Sequence, residues 1–104
     1  MIFERDPHRL FGVPRAHRLK LLSRTVSERG AGTREVRWFL ECDADGAELA
    51  RYRCWDERTA PGRTTDARRG PARELGWERY GPRGELLDRE VRRARDAHES
   101  VTVH

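Results

Sequence analysis

Two cysteines and four histidines are the side chains of this sequence that could bind a metal ion. Twelve residues separate Cys42 from Cys54. The histidines lie towards the two ends of the chain: His8, His17, His98 and His104. A zinc site needs three or four ligands converging at about 2.0 to 2.3 Å, and this spacing does not supply them. We expect no metal, no cofactor and two free thiols that behave as small apolar side chains.

The acidic residues offer one further arrangement that could do chemistry. A hairpin around residues 81–84 places Glu78 opposite Asp88, and paired carboxylates can act as general acid and base. Arg79 and Arg89 follow them in the chain, so a solvated charged surface explains the same residues. The chain also lacks a Gly-x-Ser-x-Gly elbow, a phosphate-binding glycine loop and a His-Glu-x-x-His helix. We therefore expect no catalytic residues and no enzymatic activity.

Arginine dominates the basic residues. The chain has 22 Lys and Arg against 18 Asp and Glu, a formal net charge of +4, and Lys20 is its only lysine. The planar guanidinium suits phosphate or carboxylate recognition, but a GC-rich genome, whose codons favour Arg, Ala, Gly and Pro, produces the same bias. The acids are interspersed with the arginines, so basicity alone does not establish nucleic-acid binding.

The tryptophans Trp38, Trp55 and Trp77 are the residues best suited to stacking. Aromatic residues interleaved with arginines on a sheet can bind single-stranded nucleic acid, and the same residues can fill the core of a small β-domain. We assign Trp38 to the core. Trp55 lies beside Arg53 in the chain and suits either an interface or a second core layer.

Hairpins must position these side chains, and the clearest one spans residues 35–55. Its centre, Asp43-Ala44-Asp45-Gly46, suits a type I turn followed by a bulged glycine. The register that we predict pairs Trp38 with Tyr52 and Val36 with Cys54. It predicts a core face of Val36, Trp38, Leu40, Cys42, Ala50, Tyr52 and Cys54. It predicts a mixed face of Arg37, Phe39, Glu41, Leu49, Arg51, Arg53 and Trp55.

A second hairpin is predicted for residues 75–91, around Gly81-Pro82-Arg83-Gly84. Placing Gly84 on Gly46 aligns the two hairpins, which indicates a twofold internal repeat. The shared order of an aromatic residue, a turn, glycine and Leu-x-Arg resembles the hairpin units of MORN-like repeat proteins, whose surfaces serve binding or scaffolding. The resemblance covers two short stretches, and the long insert between them departs from the spacing of such repeats.

Residues 18–28 alternate as a strand would, with Leu19, Leu21, Ser23 and Thr25 on one side. The alternative is a helix that starts at Pro14. We favour the strand, because Thr25-Val26-Ser27 is poor helix material.

Residues 56–74 carry no apolar periodicity and predict a mobile, arginine-rich loop. Beyond the second hairpin, we expect one or two helical turns over residues 92–99 and a short closing strand over residues 101–103.

Length and composition predict a single β-rich domain over residues 1–104. The apolar fraction is 36% and the charged fraction 38%, so one small core and no deep pocket are expected. No apolar run approaches a membrane span, and Glu4, Arg5 and Asp6 follow Met1-Ile2-Phe3, unlike a signal peptide. We expect a cytoplasmic protein without membrane association.

The predicted fold class is mainly β, or a β-rich α+β fold: a small antiparallel barrel or a curved sheet of about five or six hairpin-forming strands, with at most one short helix. The predicted function is non-catalytic binding of a protein, as an adaptor, inhibitor or accessory subunit. The predicted partner-binding residues are Phe39, Leu49, Arg51, Arg53, Trp55, Arg63, Arg68 and Arg69. The alternative is a small basic nucleic-acid-binding module that uses Arg15, Arg18, Lys20 and Arg24. The exposed edge of such a sheet also predicts a homodimer through an edge strand.

Overall fold

A computed structural model of the chain describes residues 6–30, 32–59 and 72–95. One short helix precedes five strands that form a single antiparallel sheet in the order β1-β2-β3-β4-β5. The elements are α1 (Pro7–Phe11), β1 (Arg18–Arg29), β2 (Gly32–Cys42), β3 (Glu48–Thr59), β4 (Ala72–Tyr80) and β5 (Leu86–Arg95). The mainly β class with one short helix is confirmed. The sheet is open, since β1 and β5 are its two edges, so the curved sheet fits and the barrel does not.

The first strand settles the choice between strand and helix after Pro14. Residues 18–29 pair along their length with β2, and the pairing shifts by one residue between Leu21 and Ser23. The helix lies earlier, where Asp6 accepts a hydrogen bond from the backbone N–H of His8 and Pro7 occupies the first turn. Gly12 ends the helix in the left-handed conformation, at φ 70°.

Both predicted turns are confirmed, and they have the same geometry. The N–H of Gly46 donates to the carbonyl of Asp43, and the N–H of Gly84 donates to that of Gly81, at 3.0 and 2.9 Å. Gly46 and Gly84 have φ values of 90° and 83°, which glycine adopts readily. The cross-strand residue pairs that flank the two turns occupy equivalent positions. Cys42 pairs with Glu48 in the first hairpin, and Tyr80 pairs with Leu86 in the second.

The predicted register is wrong beyond these flanking pairs. An irregularity between Glu41 and Cys42 shifts the pairing, so that Trp38 lies opposite Arg53 rather than Tyr52. A bulge places one extra residue in one strand, which moves every later side chain of the partner to the other face. The second hairpin has the same shift between Arg79 and Tyr80.

The sheet therefore has two faces whose membership differs from the prediction. We call the face with Phe39, Tyr52 and Trp77 the covered face, because Phe11 of α1 packs on these three rings. The buried core cluster comprises Phe11, Val13, Phe39, Ala50, Tyr52, Cys54 and Trp77. We call the other face, which carries Trp38, Trp55 and Tyr80, the open face, because no helix or strand of the described ranges packs on it.

The predicted loop over residues 56–74 is wrong at both ends. Residues 56–59 continue β3, and residues 72–74 already belong to β4. Their side chains pair across the strands: the Arg73 guanidinium donates to both oxygens of Asp56, at 3.0 and 2.6 Å. Because the side chains on both faces of this part of β3 and β4 are polar, the sequence shows no alternating apolar pattern there. The polar side chains nevertheless stabilise the pairing of the two strands. Residues 60–71 lie outside the described ranges.

The expected helix over residues 92–99 is contradicted where the structure describes it, because β5 continues to Arg95. The rest of that segment and the closing strand over residues 101–103 lie outside the described residues. No helix within the described ranges is long and apolar enough to cross a membrane.

Candidate functional site

An aromatic pair dominates one end of the open face. Trp38 on β2 stacks on Tyr80 on β4, with ring centroids 5.7 Å apart and planes 29° from parallel. Both side chains are half-buried. They line a groove of about 670 Å³ together with Leu40, Leu49 and Pro82. The groove is wide and shallow and offers an apolar surface rather than a closed cavity.

The indole nitrogens distinguish the three tryptophans. Trp55 Nε1 donates to Glu74 at 2.9 Å, and Trp77 Nε1 donates to Glu90 at 3.3 Å. Trp38 has no hydrogen-bond acceptor for its indole among the described residues. A half-buried indole usually has a partner, so Trp38 presents a donor available to a ligand. The assignment of Trp38 to the core is wrong, because the register shift places it on the open face.

Trp55 is buried, with 5% of its surface exposed, although it lies on the open face. Its ring lies over Gly76 of the neighbouring strand, where a Cβ atom would come within 2.2 Å of the ring. The Arg53 guanidinium lies 4.9 Å from the ring centroid on the same face. Trp55 thus forms a small second packing layer, one of its two predicted roles, which depends on the absence of a side chain at Gly76.

Charged side chains on the open face alternate in sign across the strands. Glu78 lies between Arg53 and Arg89, at 3.5 and 3.6 Å, and Arg93 donates to Glu74 at 2.8 Å. The exposed fraction of the side chain is 80% for Arg93 but 14% for Glu78. The carboxylates are recessed between the strands, and the guanidinium groups extend outwards.

The paired-carboxylate arrangement is contradicted by this register. Glu78 lies opposite Arg89, and Asp88 lies opposite Arg79 on the covered face. A bulge after Arg79 separates the two carboxylates onto opposite sides of the sheet. Glu78 therefore contributes to a cross-strand ion pair.

The predicted partner-binding residues are only partly brought together. Leu49, Arg51, Arg53 and Trp55 share the open face of β3. Phe39, predicted beside them, is buried on the covered face, where its ring meets Phe11 edge-on at 5.7 Å. Arg63, Arg68 and Arg69 lie outside the described residues.

The four cations of the nucleic-acid alternative do not form one surface. Arg15 pairs with Asp6, and Arg24 pairs with Glu35 across the β1–β2 ladder. Arg18 and Lys20 are exposed on β1 and have no ion pair with a described residue. Two of the four charges are therefore already neutralised within the molecule.

A buried polar cluster on the covered face has no counterpart in the sequence analysis. Glu41 is 3% exposed and accepts a hydrogen bond from the Tyr52 hydroxyl at 2.8 Å. Arg79 lies 4.0 Å from the same oxygen, and the other Glu41 oxygen lies 2.6 Å from His17 Nδ1. His8 Nε2 donates to the His17 carbonyl at 2.8 Å, which links α1 to the same cluster. Pairing between residues 24 positions apart leaves no local signal.

Burial changes the pKa of two side chains on the covered face, Tyr52 and Cys54. Burial, the hydrogen bond to Glu41 and the charge of Glu41 together hold the pKa of the Tyr52 phenol well above its ordinary value. Burial also raises the pKa of the Cys54 thiol. Cys42 and Cys54 are both free, as expected, and lie on opposite faces of the sheet.

The chain matches no known protein family, no curated protein and no solved structure. By its geometry, it belongs to the class of small antiparallel β-meander proteins with one face covered by a short helix and one open face.

Proposed function

We propose that this is a non-catalytic binding protein, an adaptor, inhibitor or accessory subunit, that contacts a protein partner through the open face. The Trp38–Tyr80 pair carries the proposal. It combines a half-buried ring stack with an indole N–H that has no acceptor among the described residues. Tryptophan, tyrosine and arginine are the residue types that dominate the energetics of protein interfaces.

The charge distribution supports an acidic partner. Arg51, Arg89 and Arg93 are exposed on the open face, whereas Glu74 and Glu78 are recessed and engaged in ion pairs. A complementary surface would place carboxylates around an apolar side chain that enters the groove beside Trp38. Such complementarity raises association rates and orients the two proteins.

A protein partner is favoured over a nucleic acid for a structural reason. Arg15 and Arg24, needed by the alternative, are paired with Asp6 and Glu35. The proposal places the protein in the cytoplasm, where Cys42 and Cys54 stay reduced.

The test is affinity capture from a lysate of the native host, with Trp38→Ser as the diagnostic variant. Leu21→Ser is the matched control, since Leu21 is also a large exposed apolar residue. It pairs with Phe39 of β2 and therefore lies on the covered face. We expect wild type and L21S to retain the same acidic protein after nuclease treatment and a high-salt wash, and W38S to lose it.

Other outcomes would contradict the proposal. Recovery of nucleic acid alone, removed by salt, would favour the basic nucleic-acid module. Capture of an untagged copy of this chain, weakened by L21S but not by W38S, would indicate a dimer through edge strand β1 instead. Equal capture by wild type and W38S would show that the Trp38 groove is not the interface.

A further inference from the structure

The covered face contains a cavity that the core does not fill. Helix α1 packs over the part of the sheet nearest the two hairpin turns, and a cavity of about 250 Å³ opens beside it. Arg9 and Leu10 of the helix form one wall. The sheet supplies the floor, with residues from β2, β3, β4 and β5.

The floor of the cavity is apolar at its centre. Cys54, Leu75 and Trp77 lie on adjacent strands, and Cys54 lies directly opposite Trp77. The Cys54 thiol is buried and neutral, since burial raises its pKa. This floor therefore suits an aromatic ring or a short aliphatic chain.

The rim of the cavity is charged, and its carboxylates already have partners. Three rim carboxylates have hydrogen-bond donors or cations beside them: Glu35, Asp56 and Glu90. Arg24 pairs with Glu35 from outside the cavity, and Arg73 does the same for Asp56. These carboxylates are consequently poor sites for a cationic ligand.

Arg37 on the rim has no hydrogen-bond acceptor for its guanidinium among the described residues. Arg37 lies with its Nε 3.9 Å from Glu35, beyond hydrogen-bonding distance. Arg92 faces the cavity from the opposite side, on β5, and contacts Glu90 at 3.5 Å. The lining itself carries three arginines and three carboxylates, and Arg24 and Arg73 engage two of these carboxylates from outside the cavity. The Arg37 guanidinium is therefore the rim group whose donors an anion can use.

We propose that this cavity binds a small organic carboxylate whose aromatic or aliphatic body packs on Trp77 and Leu75 and whose carboxylate is held by Arg37. The volume decides the size class. At about 250 Å³ the cavity is just below the roughly 300 Å³ at which ligand pockets usually begin, so the ligand is a single ring or a short chain. This site opens on the covered face, and it does not depend on the function proposed for the open face.

The test is a nuclear magnetic resonance titration of the ¹⁵N-labelled protein with phenylacetate, with phenylacetamide as the neutral analogue. We expect the Trp77 indole N–H signal to shift and saturate with phenylacetate, while the Trp38 indole on the open face stays in place. Phenylacetamide should bind at least about tenfold more weakly, because it lacks the charge that Arg37 recognises.

Variants of Arg37, Arg83 and Leu75 separate the site from general charge effects. Arg37→Met should weaken binding at least about tenfold. Arg83→Met, in the exposed β4–β5 turn and outside the cavity, should leave it unchanged. Leu75→Trp fills the cavity without altering any charge and should abolish the Trp77 shift. The proposal fails if phenylacetamide binds as tightly as phenylacetate, if R83M matches R37M, if L75W still binds, or if Trp38 shifts instead.

Discussion

Glu41 is a nearly inaccessible carboxylate at the end of a strand, and its partners explain why it is tolerated there. A buried charge is costly unless hydrogen bonds and an opposite charge compensate for it. The Tyr52 hydroxyl on β3, Arg79 on β4 and His17 in the segment before β1 supply these interactions. The cluster therefore anchors the N-terminal segment to the sheet.

The Tyr52 phenol predicts how stability responds to alkaline pH. In the unfolded chain the phenol ionises near its ordinary pKa of 10.0, whereas in the folded protein it keeps its proton. Above about pH 10 the folded state thus binds more protons than the unfolded state, and the free energy of unfolding falls. Tyr52→Phe should cost about 1.5–3 kcal/mol at neutral pH, the value of a hydrogen bond to a charged group.

Guanidinium unfolding at a series of pH values checks this prediction. The stability of Y52F should fall less steeply above pH 10 than that of wild type. Tyr80→Phe is the comparison variant: the hydrogen bond to Glu78 also raises the pKa of Tyr80, but Tyr80 is less buried than Tyr52. Its profile should stay closer to wild type. An alkaline loss in Y52F as steep as in wild type would rule out Tyr52 as its source.

At the scale of elements, the two hairpins repeat one design. Each has a three-residue turn that ends in a glycine at positive φ, and each shifts its register at the same distance from that glycine. The shift in the first hairpin places Trp38 on the same face as Arg51 and Arg53, and the regular pairing of Arg51 with Tyr80 brings Tyr80 to that face. The groove thus depends on the first bulge.

Gly84 provides a test of the turn that is free of packing effects. A Cβ at this position would meet nothing within 4 Å, so any cost of substitution is conformational. Gly84→Ala should destabilise the protein by about 1–2 kcal/mol because its φ is 83°. Gly84→Asn should cost less, since asparagine tolerates positive φ better. Thermal unfolding midpoints compare the two.

The neighbouring Arg83→Ala serves as the control for this series. Positive φ occurs only at glycines among the described residues, so alanine fits at position 83 without strain. Its midpoint should lie close to that of wild type. If G84A and R83A unfold at the same temperature, the turn does not depend on the conformational freedom of glycine.

At the scale of the whole molecule, one sheet and one core cluster connect every described element. Phe11 stacks on Tyr52 with ring centroids 4.3 Å apart and contacts Trp77 on the next strand. A five-residue helix is not stable alone, so α1 depends on these contacts. The sheet edge contributes little to the core, as Leu21, Leu22 and Val26 are exposed on β1.

This connectivity predicts a single cooperative unfolding transition. In urea, near-ultraviolet circular dichroism, which reports aromatic packing, and far-ultraviolet circular dichroism, which reports strands, should have the same midpoint. Phe11→Ala should lower both together, by about 3–5 kcal/mol. Leu86→Ala, at an exposed position on β5, should change neither by more than about 0.5 kcal/mol. Loss of the aromatic signal before the strand signal would contradict a single unit.

The sequence by itself determined the mainly β class, the strand after Pro14 and both hairpin turns. These features are local: a glycine at positive φ and alternating β-branched residues act through their immediate neighbours. Gly46 and Gly84 carry this signal, and the structure has both turns at the predicted positions.

Tertiary structure decided which face each strand buries. The bulge beside Glu41 reverses the faces of Trp38 and Phe39, and Phe39 then packs with Tyr52 against Phe11 of α1. The same long-range contacts joined His17 to Glu41 and placed Arg37 and Arg92 around one cavity. Residues so far apart in the chain meet only when the whole sheet forms, since local propensity has no influence over that distance.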